Sequence, residues 1–268
     1  MDTPQRYAAP SDTAYAAPIP QVFYIHDDLS ADVRQTHGVQ SLAYDLTQAL
    51  LTLVRHQPER VVVLHLEAQI CALVQQAVPT PFAITIGIGQ AGARVAEQLQ
   101  QRTGWFPVRC QVEVTREEDG HGGYTLVSPG GSSLAAQLQR VDTSSSVAVV
   151  DDTVFSGLTM RGVLQALPPA ALARTHAFCL RGVAESLPSI RALCPLSIGF
   201  AAPGRLLDEV SFINAAGLVR RISIRRTGQP SLAFFERPEW MHAWFPGYAD
   251  AVIALCRRLN ALLEPGPA

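Results

Sequence analysis

The sequence predicts an α/β protein built on a doubly wound, mostly parallel sheet. Short runs of β-branched residues alternate with helical apolar patterns along most of the chain, and such alternation is typical of strands joined through helices. At 268 residues with 48% hydrophobic residues, the chain is long enough to bury a sizeable core. We therefore expect one large α/β core with smaller additions at its ends.

The predicted elements follow one another in order. Apolar residues at helical spacing predict helices over 39–56, 68–78, 93–101, 160–167 and 248–263. Short apolar runs predict strands over 60–66, 82–86, 108–114, 147–150, 175–180 and 196–201. The run at 147–150 is the most strand-like in the chain.

Three segments depart from this alternation. Residues 1–21 contain several prolines and few large apolar residues, which predicts a mobile arm. Residues 117–146 are rich in glycine and serine and have little to bury, so we expect a polar flap over an active site. The division that follows is an arm (1–21), a core with its flap (22–205) and a C-terminal segment (206–268) of mixed strands and a terminal helix.

The composition excludes several function classes. All 21 basic residues are arginines and lysine does not occur, so a Walker A phosphate loop, a pyridoxal-phosphate enzyme and a kinase are excluded in their standard forms. The net charge of −2 gives no field that would recruit nucleic acid or an anionic membrane. We expect neither partner.

The cysteines and the N-terminus predict a cytoplasmic location. Five cysteines, an odd number without a C-x-x-C pair, indicate free thiols in a reducing compartment. The N-terminal residues contain Asp2, Asp12 and several prolines in place of the apolar stretch of a secretory signal. No apolar run is long enough to span a bilayer.

The segment Val147–Met160, VAVVDDTVFSGLTM, is the most informative in the chain. Two adjacent carboxylates, Asp151 and Asp152, follow a buried strand and can accept hydrogen bonds from vicinal hydroxyls or bind Mg²⁺. The next residues form a Ser/Gly/Thr loop that enters a helix, an arrangement that binds anions. Together these features predict a sugar-phosphate site. Two aspartates that merely cap a helix would not explain the whole pattern.

This segment resembles the PRPP-binding signature of the type I phosphoribosyltransferases. The resemblance implies that Asp151 and Asp152 hold the ribose hydroxyls and magnesium, as catalytic residues. It implies a 5-phosphate loop of Thr153, Phe155, Ser156, Gly157, Leu158 and Thr159. It also implies Mg²⁺ as cofactor, PRPP and a small-molecule acceptor as ligands, a homodimer, and a variable hood built by the N- and C-terminal segments.

A second glycine motif, Gly87–Gly92, follows a predicted strand and reads G-x-G-x-x-G. With Glu113 at the end of the next predicted strand, it matches a dinucleotide-binding fingerprint. Beside the PRPP signature it fits a pyrophosphate loop, whose contacts would come from Gly87, Gly89, Gln90, Ala91 and Gly92. A tight strand-to-helix turn without a ligand is the third interpretation.

Arg116, at the start of the polar flap, is the candidate cation for pyrophosphate. Members of the family often use a basic residue from this region, frequently lysine, and in this chain an arginine must take that role. A guanidinium offers two parallel donors to phosphate oxygens. A solvated surface arginine beside Glu117 and Glu118 is the alternative.

The acceptor is less well defined by the sequence. In 6-oxopurine members the position of Phe155 is an aspartate near the base, so an acceptor other than a 6-oxopurine is predicted. The C-terminal aromatic stretch suggests Phe235, Glu236 and Trp240 as acceptor contacts, although packing of the terminal helix explains them equally well. Two other functions stay open, a non-catalytic regulator that senses PRPP and an NAD-dependent Rossmann enzyme.

Overall fold

The structure is a computed structural model that describes residues 22–76, 81–118, 124–128, 132–139, 145–202, 212–222, 224–226 and 229–264. The predicted arm, residues 1–21, lies outside the described residues. The strands are β1 (Phe23–Asp27), β2 (Val61–His65), β3 (Ile84–Ile88), β4 (Arg109–Val112), β5 (Thr115–Glu118), β6 (Tyr124–Val127), β7 (Val147–Val154), β8 (Thr175–Val183), β9 (Leu196–Ala202), β10 (Phe212–Asn214), β11 (Ile224–Arg226) and β12 (Gln229–Leu232).

The helices predicted from the apolar periodicity are all present, and further helices, most of them short, were not predicted. They are α1 (Leu29–His37), α2 (Leu42–Val54), α3 (Leu66–Gln76), α4 (Gly89–Thr103), α5 (Leu134–Leu138), α6 (Leu158–Ala166), α7 (Pro169–Leu172), α8 (Leu187–Arg191), α9 (Ala215–Val219), α10 (Pro238–Trp244) and α11 (Ala249–Leu263). None of the helices in the described ranges is long and apolar enough to cross a membrane.

The described residues form two compact units, each with its own sheet. Residues 67–202 make the first unit, and residues 22–66 together with 212–264 make the second. These boundaries differ from the sequence-based division, which assigned 22–66 to the core. The difference arises because β2 pairs with β1, and β1 pairs with β10 from the C-terminal part of the chain. Sequence patterns do not specify such long-range strand partners.

The first unit contains a five-stranded sheet in the order β4-β3-β7-β8-β9. Every neighbouring pair in it is parallel. Strand β7 is central in this sheet, and it continues beyond the predicted 147–150 to Val154. The predicted parallel α/β fold is confirmed in this unit.

Helices cover both faces of this sheet. Ile86 of β3 packs in a cluster that includes Met160, Val163 and Leu164 of α6. Its neighbour Gly87 points to the opposite face, where it lies against Ala93 of α4. Phe82, Phe106, His176 and Phe178 form an aromatic cluster with ring centroids 4.5 to 6.2 Å apart. The sheet is therefore doubly wound.

The predicted flap, residues 117–146, contains regular structure. Strands β5 and β6 form an antiparallel hairpin with Arg116 opposite Leu126. The Leu126 side chain lies so close to α6 that a Cβ on Gly162 would be 2.1 Å from its Cδ1. The side chain of Gln137 in α5 accepts a hydrogen bond from Glu113 N at 2.8 Å and donates one to Glu113 O at 3.0 Å. Residues 119–123, 129–131 and 140–144 of this segment lie outside the described residues.

The second unit is a smaller α/β layer. Its three-stranded parallel sheet has the order β10-β1-β2, and a two-stranded antiparallel ribbon is formed by β11 and β12. Its core includes Phe23, Leu50, Met241, Phe245 and Leu259. Tyr248 donates a hydrogen bond to Val54 O at 3.3 Å, and Asn260 donates one to Val219 O at 2.8 Å. The N-terminal and C-terminal segments thus fold together.

Candidate active site

A cleft opens at the carboxyl end of β7, where the order of strands in the sheet reverses. From β3 the chain runs to β4 on one side, and β7 lies on the other side of β3. Ligands of open α/β sheets bind in the crevice beyond such a switch point. The cleft is small, with about 180 Å³ of empty space including its open mouth. It is lined by Arg116, Asp151, Thr153, Val154, Phe155, Gly157, Leu158, Thr159 and Met160.

Asp151 is the buried member of the acidic pair. Only 7% of the residue is exposed, and its Oδ1 accepts a hydrogen bond from Asp152 N at 2.9 Å. Burial raises the pKa of the Asp151 carboxyl well above its ordinary value, and the neighbouring charge of Asp152 raises it further. The positive charge of Arg116 opposes that rise. Asp151 therefore favours its protonated form more than an exposed aspartate does.

Asp152 is held in a different way from its neighbour. Arg181 Nη2 donates to Asp152 Oδ2 at 3.0 Å, and Thr153 Oγ1 donates to the same oxygen at 2.9 Å. The side chain of Arg181 is 1% exposed and that of Asp152 25% exposed. One carboxylate oxygen of Asp152 is therefore occupied by these two donors, while solvent still reaches the side chain. The two aspartates therefore present different chemistry to a ligand, although they are adjacent in sequence.

The predicted 5-phosphate loop is a short turn between β7 and α6. Gly157 is the residue before α6 and has φ of 74°, a left-handed conformation that other residues adopt only with strain. Leu158 N donates to Ser156 Oγ at 3.4 Å. The first amides of a helix lack intrahelical acceptors and carry a partial positive charge. With the Thr159 hydroxyl beside them, these groups can bind an anion.

Arg116 comes to this cleft from the hairpin of β5 and β6. It lies in β5, lines the cleft together with Asp151, and is itself exposed to solvent. The structure thus brings the candidate cation to the acidic pair. Asp152 and Ser156 are not among the described residues that line the cleft surface, although they adjoin those that do.

The glycine motif Gly87–Gly92 is not a loop. Strand β3 continues to Ile88 and α4 begins at Gly89, so the predicted loop residues form the strand end and the first helical turn. A Cβ on Gly87 would lie 2.5 Å from Ala93 Cα, and one on Gly92 would lie 2.4 Å from Val150 O. Two of the three glycines therefore let α4 pack against β3 and β7. None of the five predicted pyrophosphate contacts is among the cleft-lining residues in the described ranges.

The acidic pair fits a magnesium ion only when a bound substrate supplies further oxygen atoms. Within the described ranges, no three His, Cys, Asp or Glu side chains come together as a metal site. Asp152 is already engaged by Arg181, and Asp151 is buried. Magnesium is usually bound by one or two carboxylates plus phosphate oxygens of a substrate, and Asp151 and Asp152 fit that arrangement.

The three acceptor candidates lie in the second unit. Phe235 is 6% exposed and packs in the core of that unit. Glu236 accepts a hydrogen bond from Ala233 N at 2.9 Å and pairs with Arg221 at 3.0 Å. Trp240 has the Arg237 guanidinium 5.0 Å from its ring centroid. These contacts stabilise the unit, and a part in acceptor binding stays a prediction.

Arg181 is the functional candidate that sequence reasoning missed. The strand was predicted to end at residue 180, before this charged residue, because charges are rarely buried in a sheet. In the structure β8 continues through Arg181 to Val183, since Asp152 on the neighbouring strand balances the charge. An arginine within an apolar strand, beside a strand that ends in aspartates, was the available signal.

No known protein family matches the sequence, and no curated protein matches it. Among solved structures, the chain is similar to a purine phosphoribosyltransferase from Pyrococcus horikoshii, with 16% identity over 55% of this chain and 86% of that one and a TM-score of 0.39. It is also similar to an orotate phosphoribosyltransferase from Aeropyrum pernix, with 19% identity over 50% and 70% and a TM-score of 0.32.

A third similar structure is a xanthine-guanine-hypoxanthine phosphoribosyltransferase from Helicobacter pylori. Identity is 12% over 72% of this chain and 91% of that one, and the TM-score is 0.35. The three descriptions name the family that the signature at Val147–Met160 resembles. Likeness of this extent carries no argument about activity, which has to come from the site residues.

Proposed function

We propose that the protein is a magnesium-dependent phosphoribosyltransferase, which transfers the 5-phosphoribosyl group of PRPP to a small-molecule acceptor and releases pyrophosphate. The observation that supports this most is that one cleft is lined by Asp151, by the turn of Gly157 to Thr159 and by Arg116. These groups supply an acceptor for ribose hydroxyls, an anion site and a cation. PRPP carries matching groups, a diol, a 5-phosphate and a diphosphate.

The reaction forms a bond between the acceptor nucleophile and C1 of the ribose and breaks the bond from C1 to the pyrophosphate oxygen. The pyrophosphate leaves with the electron pair, and the acceptor loses a proton to solvent or to a nearby base. Positive charge develops on the sugar in the transition state, and the carboxylate of Asp152 stabilises it. Arg116 stabilises the negative charge that builds on the leaving group.

Magnesium, held by Asp151 and Asp152 together with diphosphate oxygens, would neutralise part of the same leaving-group charge. The turn before α6 positions the 5-phosphate and so orients C1 for attack. The first-turn amides of α4, at Gly89–Gly92, are the proposed contacts for pyrophosphate. The hairpin of β5 and β6 carries Arg116, and its closure over the cleft would exclude water that otherwise hydrolyses PRPP.

The acceptor is proposed to be something other than a 6-oxopurine. Phe155 lines the cleft at the position where the 6-oxopurine enzymes resembled by this sequence have an aspartate. A phenyl ring can stack on a planar acceptor but cannot exchange a proton with it. A homodimer and a cytoplasmic location stay predictions beside this one.

A direct experiment is a screen of acceptors for pyrophosphate release from PRPP with and without Mg²⁺. Nucleobases other than 6-oxopurines, aromatic acids and amines form the main panel, and hypoxanthine and guanine serve as the comparison. We expect magnesium-dependent release with a member of the main panel and none with the two 6-oxopurines. The double variant Asp151→Asn with Asp152→Asn should abolish it.

The matched control is Asp250→Asn, the same chemical change at a side chain that is 91% exposed. This variant should release pyrophosphate at the unaltered rate. Release by the Asp151 and Asp152 double variant at the control rate would contradict the assigned site. If PRPP binds but no acceptor leads to pyrophosphate release, the result would indicate a PRPP-sensing regulator instead of an enzyme. NADH binding without PRPP binding would favour a Rossmann enzyme.

A further inference from the structure

Arg181 is one of the largest fully buried side chains of the first unit, and its charge lies directly beside the proposed cleft. Its Cα partner across the sheet is Thr153 of β7. From there the guanidinium reaches Asp152 Oδ2 at 3.0 Å. The Thr153 hydroxyl donates to the same oxygen at 2.9 Å. Two donors from two neighbouring strands thus fix a single oxygen of Asp152.

A buried ion pair of this kind is costly to the fold. Taking the Arg181 guanidinium out of water is costly, and replacing a buried ion pair by a well-packed apolar pair of similar volume is often neutral or stabilising. A residue that is 0% exposed in the middle of a parallel sheet is where an apolar side chain is usual. Stability alone therefore gives little reason for Arg181, and its contact with a site carboxylate gives a better one.

We propose that Arg181 is a positioning residue for the pentose of the ligand: it holds Asp152 through Oδ2, so that Oδ1 faces the vicinal hydroxyls. This inference rests on the proposed function of the cleft. Both hydrogen bonds that Asp152 accepts from Arg181 and Thr153 end on Oδ2, the side chain is 25% exposed, and its carboxyl lies beside that of Asp151.

The inference separates two classes of ligand by chemistry. PRPP and ribose 5-phosphate carry both a phosphate and a diol, whereas inorganic phosphate carries no diol. The turn before α6 binds phosphate without help from Asp152, because its donors are amides and hydroxyls of Ser156 to Met160. Loss of Arg181 should therefore weaken binding of the ribose-containing ligands and leave phosphate binding unchanged.

The experiment compares Arg181→Met and Arg181→Gln with the unaltered protein. Dissociation constants for PRPP and ribose 5-phosphate are measured by calorimetry in the presence of Mg²⁺, and that for inorganic phosphate by the shift in melting temperature. Arg181→Met should weaken both ribose ligands by about ten- to a hundredfold, the range expected for losing a hydrogen bond to a charged group. Arg181→Gln keeps an N–H that can donate to Oδ2, so it should weaken binding of the ribose ligands less. This variant also provides the test if Arg181→Met does not fold.

Arg191→Met is the matched control, because Arg191 is an exposed arginine at the end of α8 in the same unit. Asp152→Asn alone should weaken PRPP binding about as much as the arginine change does. Added to Arg181→Gln, it should weaken binding little further, because both residues act through the same carboxylate. Unaltered PRPP affinity in the Arg181 variants, or an equal loss for inorganic phosphate, would overturn the positioning role. Absence of PRPP binding by the unaltered protein would instead overturn the proposed function.

Discussion

Two strand-to-helix junctions of the first unit use glycine in opposite ways. At the junction of β3 and α4, the helix follows the strand without a loop, and Gly87 and Gly92 permit close packing against backbone atoms. At the junction of β7 and α6, a three-residue turn separates the elements, and Gly157 adopts φ of 74° with only ordinary contacts around it. Gly87 and Gly92 are therefore needed for close packing, whereas Gly157 is needed for its backbone conformation.

The difference shows why a glycine motif alone identifies no site. The first junction has the fuller match to a nucleotide-binding fingerprint, with three glycines, but no cleft-lining residue among those described. The second has a single glycine, and the cleft is built around it together with Asp151 and Arg116. Carboxylates and hydroxyls beside the glycine are what distinguish the site, and the predictions below test that distinction.

The largest effect on stability is expected for Gly92→Ala at the first junction. The new Cβ would lie 2.4 Å from Val150 O and 3.2 Å from Asp151 Cα, so α4 or β7 must shift. We expect a loss of about 1–3 kcal/mol in the free energy of unfolding, as in overpacked cores. Urea denaturation measures it. Gln90→Ala is the control, because Gln90 is an exposed residue of the same helical turn and its change should cost less than about 0.5 kcal/mol. An equal loss in the two variants would argue against close packing at Gly92.

A smaller effect is expected for Gly157→Ala at the second junction. The cost should be about 1–2 kcal/mol, from forcing a left-handed conformation on a residue with a Cβ. Gly157→Asn should cost less, because asparagine adopts this conformation more readily. Thermal denaturation of the two variants tests the order, and an asparagine variant no more stable than the alanine variant would argue against a conformational role.

Asp151→Asn is expected to stabilise the ligand-free protein at neutral pH. Burial raises the pKa of Asp151 in the folded state, so the folded protein binds this proton more tightly than the unfolded chain does. The free energy of unfolding therefore falls as pH rises from the pKa of an unfolded aspartate, about 3.9, towards the raised folded value. Denaturation at a series of pH values should show a flatter profile for the variant. A variant less stable at neutral pH than the unaltered protein would contradict this account of Asp151.

The smallest effect on stability is expected for the pair Ser156→Ala and Thr159→Val. The Ser156 hydroxyl makes only a long contact, 3.4 Å, with Leu158 N, so the free energy of unfolding should change by less than about 0.5 kcal/mol. Affinity for ribose 5-phosphate should nevertheless fall about tenfold or more, because each hydroxyl lost is a donor to a charged group. Calorimetric titration measures the affinity for ribose 5-phosphate. Undiminished affinity would show that these hydroxyls do not contact the ligand.

Strand β7 and the acidic pair could be predicted from the sequence. The run at 147–150 predicts a buried strand because its residues suit burial on both faces, and the structure contains this strand. Its place at the centre of the sheet is not specified by the sequence. Asp151 and Arg116 were both selected by residue type, and they do line one cleft.

The partition into two units could not be predicted, since it depends on which distant strands pair. Strand β1 pairs with β10 through Tyr24 and Phe212, residues almost two hundred positions apart. The glycine segment was predicted as a loop because glycines are enriched in turns. Its tight packing depends on Ala93 and Val150 O, and sequence alone does not show how close these atoms come. Arg181 was missed because the charge that balances it lies on another strand.

Hydrogen exchange of the backbone amides, with ribose 5-phosphate and with PRPP, tests the central claim most directly. The account predicts that ribose 5-phosphate slows exchange at Gly157–Met160, and that PRPP with Mg²⁺ slows it there and also at Gly89–Gly92. Unchanged exchange at Gly157–Met160 with both ligands, or protection confined to the glycine motif, would contradict the assignment of the cleft at β7 and α6 as the phosphoribosyl site.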